Sequence, residues 1–155
     1  MRIRVQQVYI VEQDVDAVVK AANVTLLGGG GVDGAIHRAA GPELLQVCRA
    51  IAEIAPGVRL RPAQAVITPG FRLAARYIIH CAAPIFSRCR SSHEAHTLLA
   101  DNYRACIELA SARGLSTVAF PALGCGVYGF SHEESAPWAL AALAEAGASA
   151  KCAGS

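Results

Sequence analysis

Charge is scarce in this chain. Only 17% of its 155 residues are Asp, Glu, Lys or Arg, and 54% are apolar. That balance excludes a disordered, self-repelling polymer and fits one well-packed domain of ordinary size. Long uninterrupted apolar runs are missing too, and none reaches the roughly 18 to 20 uncharged residues that a membrane span needs. The formal net charge is +2, too small to argue for nucleic acid by itself and compatible with a small anionic ligand. The first residues, Met1-Arg-Ile-Arg-Val5, alternate as a strand does and do not read as a secretory signal. No two of the six cysteines (Cys48, Cys81, Cys89, Cys106, Cys125 and Cys152) form a C-x-x-C pair, and most sit in apolar segments. They read as reduced, mostly buried thiols of a cytoplasmic protein. His93 and His96 are three residues apart, but nothing near them in sequence completes a metal-ligand set, so no metal and no other cofactor is expected.

Glycine, by contrast, is concentrated. The apolar run Ala17-Val-Val-Lys-Ala-Ala22 reads as a buried strand; Gly28, Gly29, Gly30 and Gly31 follow, then a short helical segment with Asp33 and His37 one turn apart. A strand, a glycine loop and a helix N-terminus together present backbone N–H groups and a positive dipole end to an anion. The inference is a phosphate or diphosphate site with Asp33 at its edge. Gly29 to Gly34 literally matches the dinucleotide fingerprint G-x-G-x-x-G, but Glu53, at the distance of the required acid, falls in helical spacing rather than at a strand end. A second glycine loop, Pro121-Ala-Leu-Gly-Cys-Gly-Val-Tyr-Gly-Phe130, follows another strand. Gly124, Gly126 and Gly129 could approach a diphosphate from the opposite side, and Tyr128 could lay its ring against a ribose. Asn23 offers a donor and an acceptor at a strand end.

The other elements follow from periodicity and punctuation. Strands are expected from Ile3 to Ile10, Ala63 to Thr68, Arg76 to Cys81 and Ser116 to Phe120. Helices are expected from Pro42 to Ile54, from Ser92 to Arg113 with Gly114 as its stop, and from a Ser131 cap to about Ala146. Strands alternating with helices make an α/β sheet covered on both faces, with ligands beyond the carboxyl ends of strands. Both glycine loops should therefore line one crevice.

The two long motifs, Asn23 to Gly41 and Pro121 to Phe130, resemble the macrodomain family, in particular its MacroD-type branch of ADP-ribose hydrolases. The resemblance runs from about Arg2 to Leu143. It implies a three-layer α/β/α fold with a mixed sheet, a single macrodomain over 1–155, and ADP-ribose or its esters as ligand, with mono-ADP-ribosylated proteins as further partners. It also implies hydrolysis of O-acetyl-ADP-ribose or of ADP-ribosyl esters on protein carboxylates, without metal or redox cofactor. At the matching positions, Asn23 would orient the distal ribose, Asp33 would position or activate water, and His37 would support it. Ile10, Ala22, Gly28, Gly29, Gly30, Gly31, Val32, Gly124, Cys125, Gly126, Val127 and Tyr128 would contact ligand. A non-catalytic ADP-ribose or nucleotide-binding module is the alternative.

The chain departs from the family pattern in places. Tyr9 stands where the family has an acid that accepts a hydrogen bond from the adenine amino group; losing such a bond is worth about 1.5–3 kcal/mol. The sequence stops at Ser155, short of the family's final strand and helix, so the sheet is expected to lack a strand. Gly124-Cys125 replaces a frequent Ser-Thr. Lys20 replaces the first Asn of an Asn-Ala-Ala-Asn run. A lysine at the end of a buried strand must reach water or an anion; the expectation is that it snorkels to solvent, with a bound phosphate as the other choice.

Overall fold

The computed structural model describes residues 2–153, with side-chain surroundings for residues 2–147. Its centre is a four-stranded sheet in the order β2-β3-β1-β4, with β1 at Ala17–Ala22, β2 at Ala65–Pro69, β3 at Tyr77–Ala82 and β4 at Val118–Ala119. Strands β3 and β4 run parallel to β1 on either side, and β2 pairs antiparallel with β3. The sheet is therefore mixed, as expected. Four helices cover it: α1 at Gly31–Ala40, α2 at Pro42–Ala50, α3 at Ser92–Ala112 and α4 at His132–Ala153.

Strand alternation divides the interior in two. Ala17 and Val19 of β1 and Ile79 and Cys81 of β3 pack with Leu99, Tyr103 and Cys106 of α3 and Ala142 of α4. Val18, Ala22, Ile78 and Ala82 point the other way, onto Ile36 and Ala40 of α1 and Leu44 and Cys48 of α2. Lys20 lies between Val18 and Ala22, so its side chain enters the α1 side of the core. Its neighbour in register on β3 is His80.

Several expected boundaries move. Residues 2–9 form no strand and are exposed; the chain first takes regular form in a 3-10 turn at Ile10–Glu12. The alternation from Ile3 to Ile10 lacks a partner, for the segment joins neither outer edge of the sheet, at β2 or at β4. Helix α2 stops at Ala50 instead of Ile54, since Ile51 is already extended. Strand β2 starts at Ala65, after Ala63 at a positive φ of 68°. Strand β3 is shifted by one residue, β4 is two residues long, and α4 runs to Ala153, past the expected end. Helix α3 has the expected form. The Ser91 side chain caps it by accepting from Glu94 N–H, and Gly114 at φ 69° ends it. Ser131 caps α4, accepting from Glu134 N–H at 3.1 Å. Cys48, Cys81 and Cys106 are buried free thiols and Cys89 and Cys125 are half-buried; Cys152 lies outside the described side chains. Among the described residues no helix is long and apolar enough to cross a membrane.

Candidate functional site

The loops that follow β1, β3 and β4 all leave the sheet at the carboxyl ends of its parallel strands. The first is held by Asn23. Its Nδ2 donates to Gly28 O at 2.9 Å, and its Oδ1 accepts from Thr25 N–H at 3.0 Å and from the Thr25 hydroxyl. One Nδ2 hydrogen stays free for another acceptor. From outside the loop, Arg59 adds its backbone N–H to Val24 O at 2.7 Å and its guanidinium to Thr25 O at 3.1 Å. Gly28 takes φ 94° and Gly31 φ 57°, values that favour glycine. A side chain at Gly30 or Gly31 would meet nothing within 4 Å. These two residues thus present bare backbone at the N-terminus of α1 with open space in front of it.

Asp33 sits in the first turn of α1 and is 5% exposed. A Cβ on Gly29 would lie 3.3 Å from Asp33 Oδ2 and 3.6 Å from Asn23 Nδ2, so this oxygen and this amide flank the same point of the glycine loop. The other oxygen, Oδ1, faces inward. Lys20 Nζ stands 3.0 Å from it, and His37 Nε2 lies 3.5 Å from it across one helical turn. Lys20 Nζ is also 2.7 Å from His37 Nε2. The expectation that Lys20 snorkels to water is wrong: its side chain is fully buried. The strand is covered by α1 at this point, and the nearest neutralising group is Asp33 on that helix, not solvent.

The polar line continues across the sheet. His80 Nε2 is 2.8 Å from Thr68 Oγ1, whose hydroxyl donates to Pro69 O at 3.2 Å. Nδ1 of His80 is buried with no partner. Burial holds the His80 pKa well below its ordinary 6.5, with the charge of Lys20 and then His37 acting in the same direction. His37 is lowered by burial first and by Lys20 second, against an opposing pull from Asp33. Both rings are accordingly neutral at pH 7. In the unfolded chain a histidine takes up its proton near 6.5, whereas folded His80 resists it. Its contribution to stability is full above 6.5 and is lost as pH falls below that value. The melting temperature should drop between pH 7 and pH 5, and His80→Leu should make that slope shallower in a series of thermal melts. Equal slopes would show that another group sets the acid limit.

The second glycine loop is anchored separately. Leu123 N–H donates to the Tyr103 hydroxyl at 2.9 Å, and Phe130 N–H donates to Gly124 O at 3.1 Å. Tyr128 O accepts from Phe86 N–H at 2.9 Å, tying this loop to the one after β3. Gly126 and Val127 stand exposed, Val127 almost entirely, while Cys125 and Tyr128 are half-buried. Burial raises the Tyr128 phenol above its usual value, and the next contribution is the Asp33 charge, with Arg88 opposing. Of the other expected contacts, Ala22 is buried at the end of β1, Val32 is half-buried in α1, and Ile10 is half-buried at the 3-10 turn. Tyr9 is 76% exposed. A hollow of about 570 Å³ lies elsewhere, between β2 with its preceding segment and α3, and none of the expected ligand contacts lines it. His93 and His96 pack on the Trp138 ring.

Sequence reasoning overlooked His80 and Thr68. The available signal was a lone histidine within the apolar strand Tyr77-Ile-Ile-His-Cys-Ala82, in register with the equally anomalous Lys20.

This arrangement of loops and strands has close counterparts. The Macro domain family matches residues 19–139. The chain belongs to the macro domain family. A macro domain-containing protein of Xanthomonas axonopodis pv. citri is 48% identical over 136 residues, 88% of this chain and 75% of that one. An O-acetyl-ADP-ribose deacetylase of Salmonella gallinarum is 42% identical over 144 residues, 93% of this macrodomain and 78% of the relative. Among solved structures, the Oceanobacillus iheyensis macrodomain with ADP superposes with a TM-score of 0.79 at 42% identity, over 86% of this chain and 70% of that one. The macrodomain fold expected from the two glycine motifs is therefore the fold of this chain.

Proposed function

We propose that this macrodomain binds ADP-ribose and hydrolyses its esters, as MacroD-type enzymes do, by deacetylating O-acetyl-ADP-ribose or releasing mono-ADP-ribose from protein carboxylates. One observation carries the reading: Asp33 Oδ2 and Asn23 Nδ2 flank Gly29 beside the open backbone of Gly30 and Gly31. Deacetylases among the relatives support it, and so do solved macrodomains holding ADP or ADP-ribose. The diphosphate would lie on the Gly28–Gly31 and Gly124–Gly129 backbones, and the distal ribose near Asn23 and Tyr128. Asp33 Oδ2 would take a proton from water as its oxygen adds to the ester carbonyl carbon. The acyl–oxygen bond then breaks, and the proton passes to the departing ribose oxygen, giving a carboxylic acid and ADP-ribose. The whole of 1–155 acts as one such domain, in the cytoplasm on this reading.

The second reading, a module that binds without turnover, draws on one feature: Lys20 occupies one of the two Asp33 oxygens. Calorimetric titration with ADP-ribose, followed by an assay of O-acetyl-ADP-ribose cleavage, separates the two. Micromolar binding with turnover is expected. Binding without turnover would leave the module, and absence of binding would overturn both.

A further inference from the structure

A fully buried lysine that touches two side chains of the site is the feature least explained by ligand binding alone. We propose that Lys20 is a positioning residue. Its ammonium holds Asp33 by Oδ1, so that Oδ2 faces the crevice at Gly29, and holds His37 as the neutral tautomer with its proton on Nδ1. The inference that this serves turnover rests on the hydrolase reading; the arrangement of the three side chains does not.

The geometry leaves little choice. At 2.7 Å, Lys20 Nζ and His37 Nε2 must share one hydrogen. An ammonium has only donors, so Nε2 offers its lone pair and the ring proton sits on Nδ1. Asp33 Oδ1 has no hydrogen bond of good angle, and what holds it is the ammonium charge at 3.0 Å. Rotating the carboxylate away would leave a buried cation without a counter-charge, so the direction of Oδ2 is fixed by the same contact. Lys20 itself cannot withdraw, because it stands on the central strand with Val18 and Ala22 buried on either side. Around the cluster stand His80 from β3 in register with Lys20, Cys48 from α2, and Asp33 and His37 from α1, with the Arg59 guanidinium within charge reach of Cys48 and the Tyr128 phenol within charge reach of Asp33. His80 and Cys48 are neutral at pH 7, the thiol being raised by burial. Lys20 and Asp33 are then the charged pair, and His37 is the group that reports on it. A neutral ring that has already accepted a hydrogen bond at Nε2 does not serve as a general acid from that nitrogen. Its part is to hold the ammonium, and proton traffic is left to Oδ2.

Nuclear magnetic resonance of the ring nitrogens tests the arrangement in the intact chain. In the wild type at neutral pH, His37 should carry its proton on Nδ1; a cationic ring, or a proton on Nε2, would overturn the proposal. Lys20→Met removes the ammonium while leaving Asp33, so the His37 titration midpoint should rise. An unchanged midpoint would overturn it as well. In the same variant kcat for O-acetyl-ADP-ribose should fall on the order of 100-fold through misplacement of the carboxylate, with KM little changed. A shifted midpoint with full kcat would overturn the positioning role, as would an equal loss spread over KM. Should the wild type cleave no ester, the hydrolase reading fails by itself, and the ring tautomer and midpoint still decide whether Lys20 holds these two side chains. The wild-type tautomer also decides if Lys20→Met does not fold.

Discussion

Asp33→Ala melts on the order of 10 °C below the wild type, and adding Lys20→Met recovers most of that loss without recovering turnover. The sequence alone predicts something milder, a catalytic carboxylate whose removal leaves the fold intact. Burial changes that. The Lys20 and Asp33 side chains are 0% and 6% exposed and 3.0 Å apart. Removing one partner strands the other as an uncompensated charge, a loss of about 3–5 kcal/mol; in a domain of this size each kcal/mol corresponds to roughly 2–4 °C. Replacing both partners removes the stranded charge along with the pair. The methionine keeps most of the lysine's apolar length, and His37, with a side chain 14% exposed, can satisfy Nε2 with water. The double variant should therefore lie well above either single variant, a large coupling that only residues in direct contact show. Additive losses would mean that the two charges do not neutralise each other. Turnover, on the proposed mechanism, vanishes in Asp33→Ala and stays absent in the double, because a stable fold without Oδ2 has nothing to take the proton from water.

This pair also shows where sequence reading reaches its limit. The grouping of the glycine run with Asp33 and His37 can be read from the sequence because a strand, a glycine loop and a helix start follow one another within a few residues, and local spacing is enough to place them beside each other. The same holds for α3, whose cap at Ser91 and stop at Gly114 are local signals. Lys20 stands out in the sequence but its surroundings do not, since its fate depends on which helix covers β1 at that height, and no spacing rule supplies that. His80 and Thr68 went unseen for a related reason. Their meaning comes from register, Lys20 opposite His80 and Thr68 diagonal to it, and register is settled by pairing between strands far apart in the chain. The segment from Ile3 to Ile10 failed in the opposite direction. Its alternation is locally strand-like, but a strand forms only where it is paired, and this segment joins neither outer edge of the sheet, at β2 or at β4.

Gly34→Ala should cost both stability and ligand affinity, and Gly30→Ala affinity alone. Inside a helix, alanine is ordinarily favoured over glycine by about 1 kcal/mol, so any loss at Gly34 runs against propensity and must come from contact. A Cβ there would overlap Gly29 O and sit 3.1 Å from the Arg38 guanidinium. The arginine can swing aside, but the carbonyl belongs to the glycine loop, which Asn23 and Arg59 hold in place. Either α1 or the loop must give way, at about 1–3 kcal/mol for overpacking, and with it goes the alignment of Asp33 with Gly29. Gly30 is different in kind. Its φ of −88° suits any residue, and a Cβ would meet nothing within 4 Å. The fold therefore makes no demand for glycine there, and the melting temperature of Gly30→Ala should match the wild type. If the open space in front of Gly30 is where the diphosphate approaches the backbone, the added methyl stands in its way, and ADP-ribose affinity should fall on the order of 10-fold or more by calorimetry, an effect above 1.4 kcal/mol. Unchanged affinity in a fully stable Gly30→Ala protein would place the phosphates elsewhere and remove the central support for the proposed site. A loss of affinity without loss of stability would identify Gly30 as a glycine required by the ligand and not by the fold.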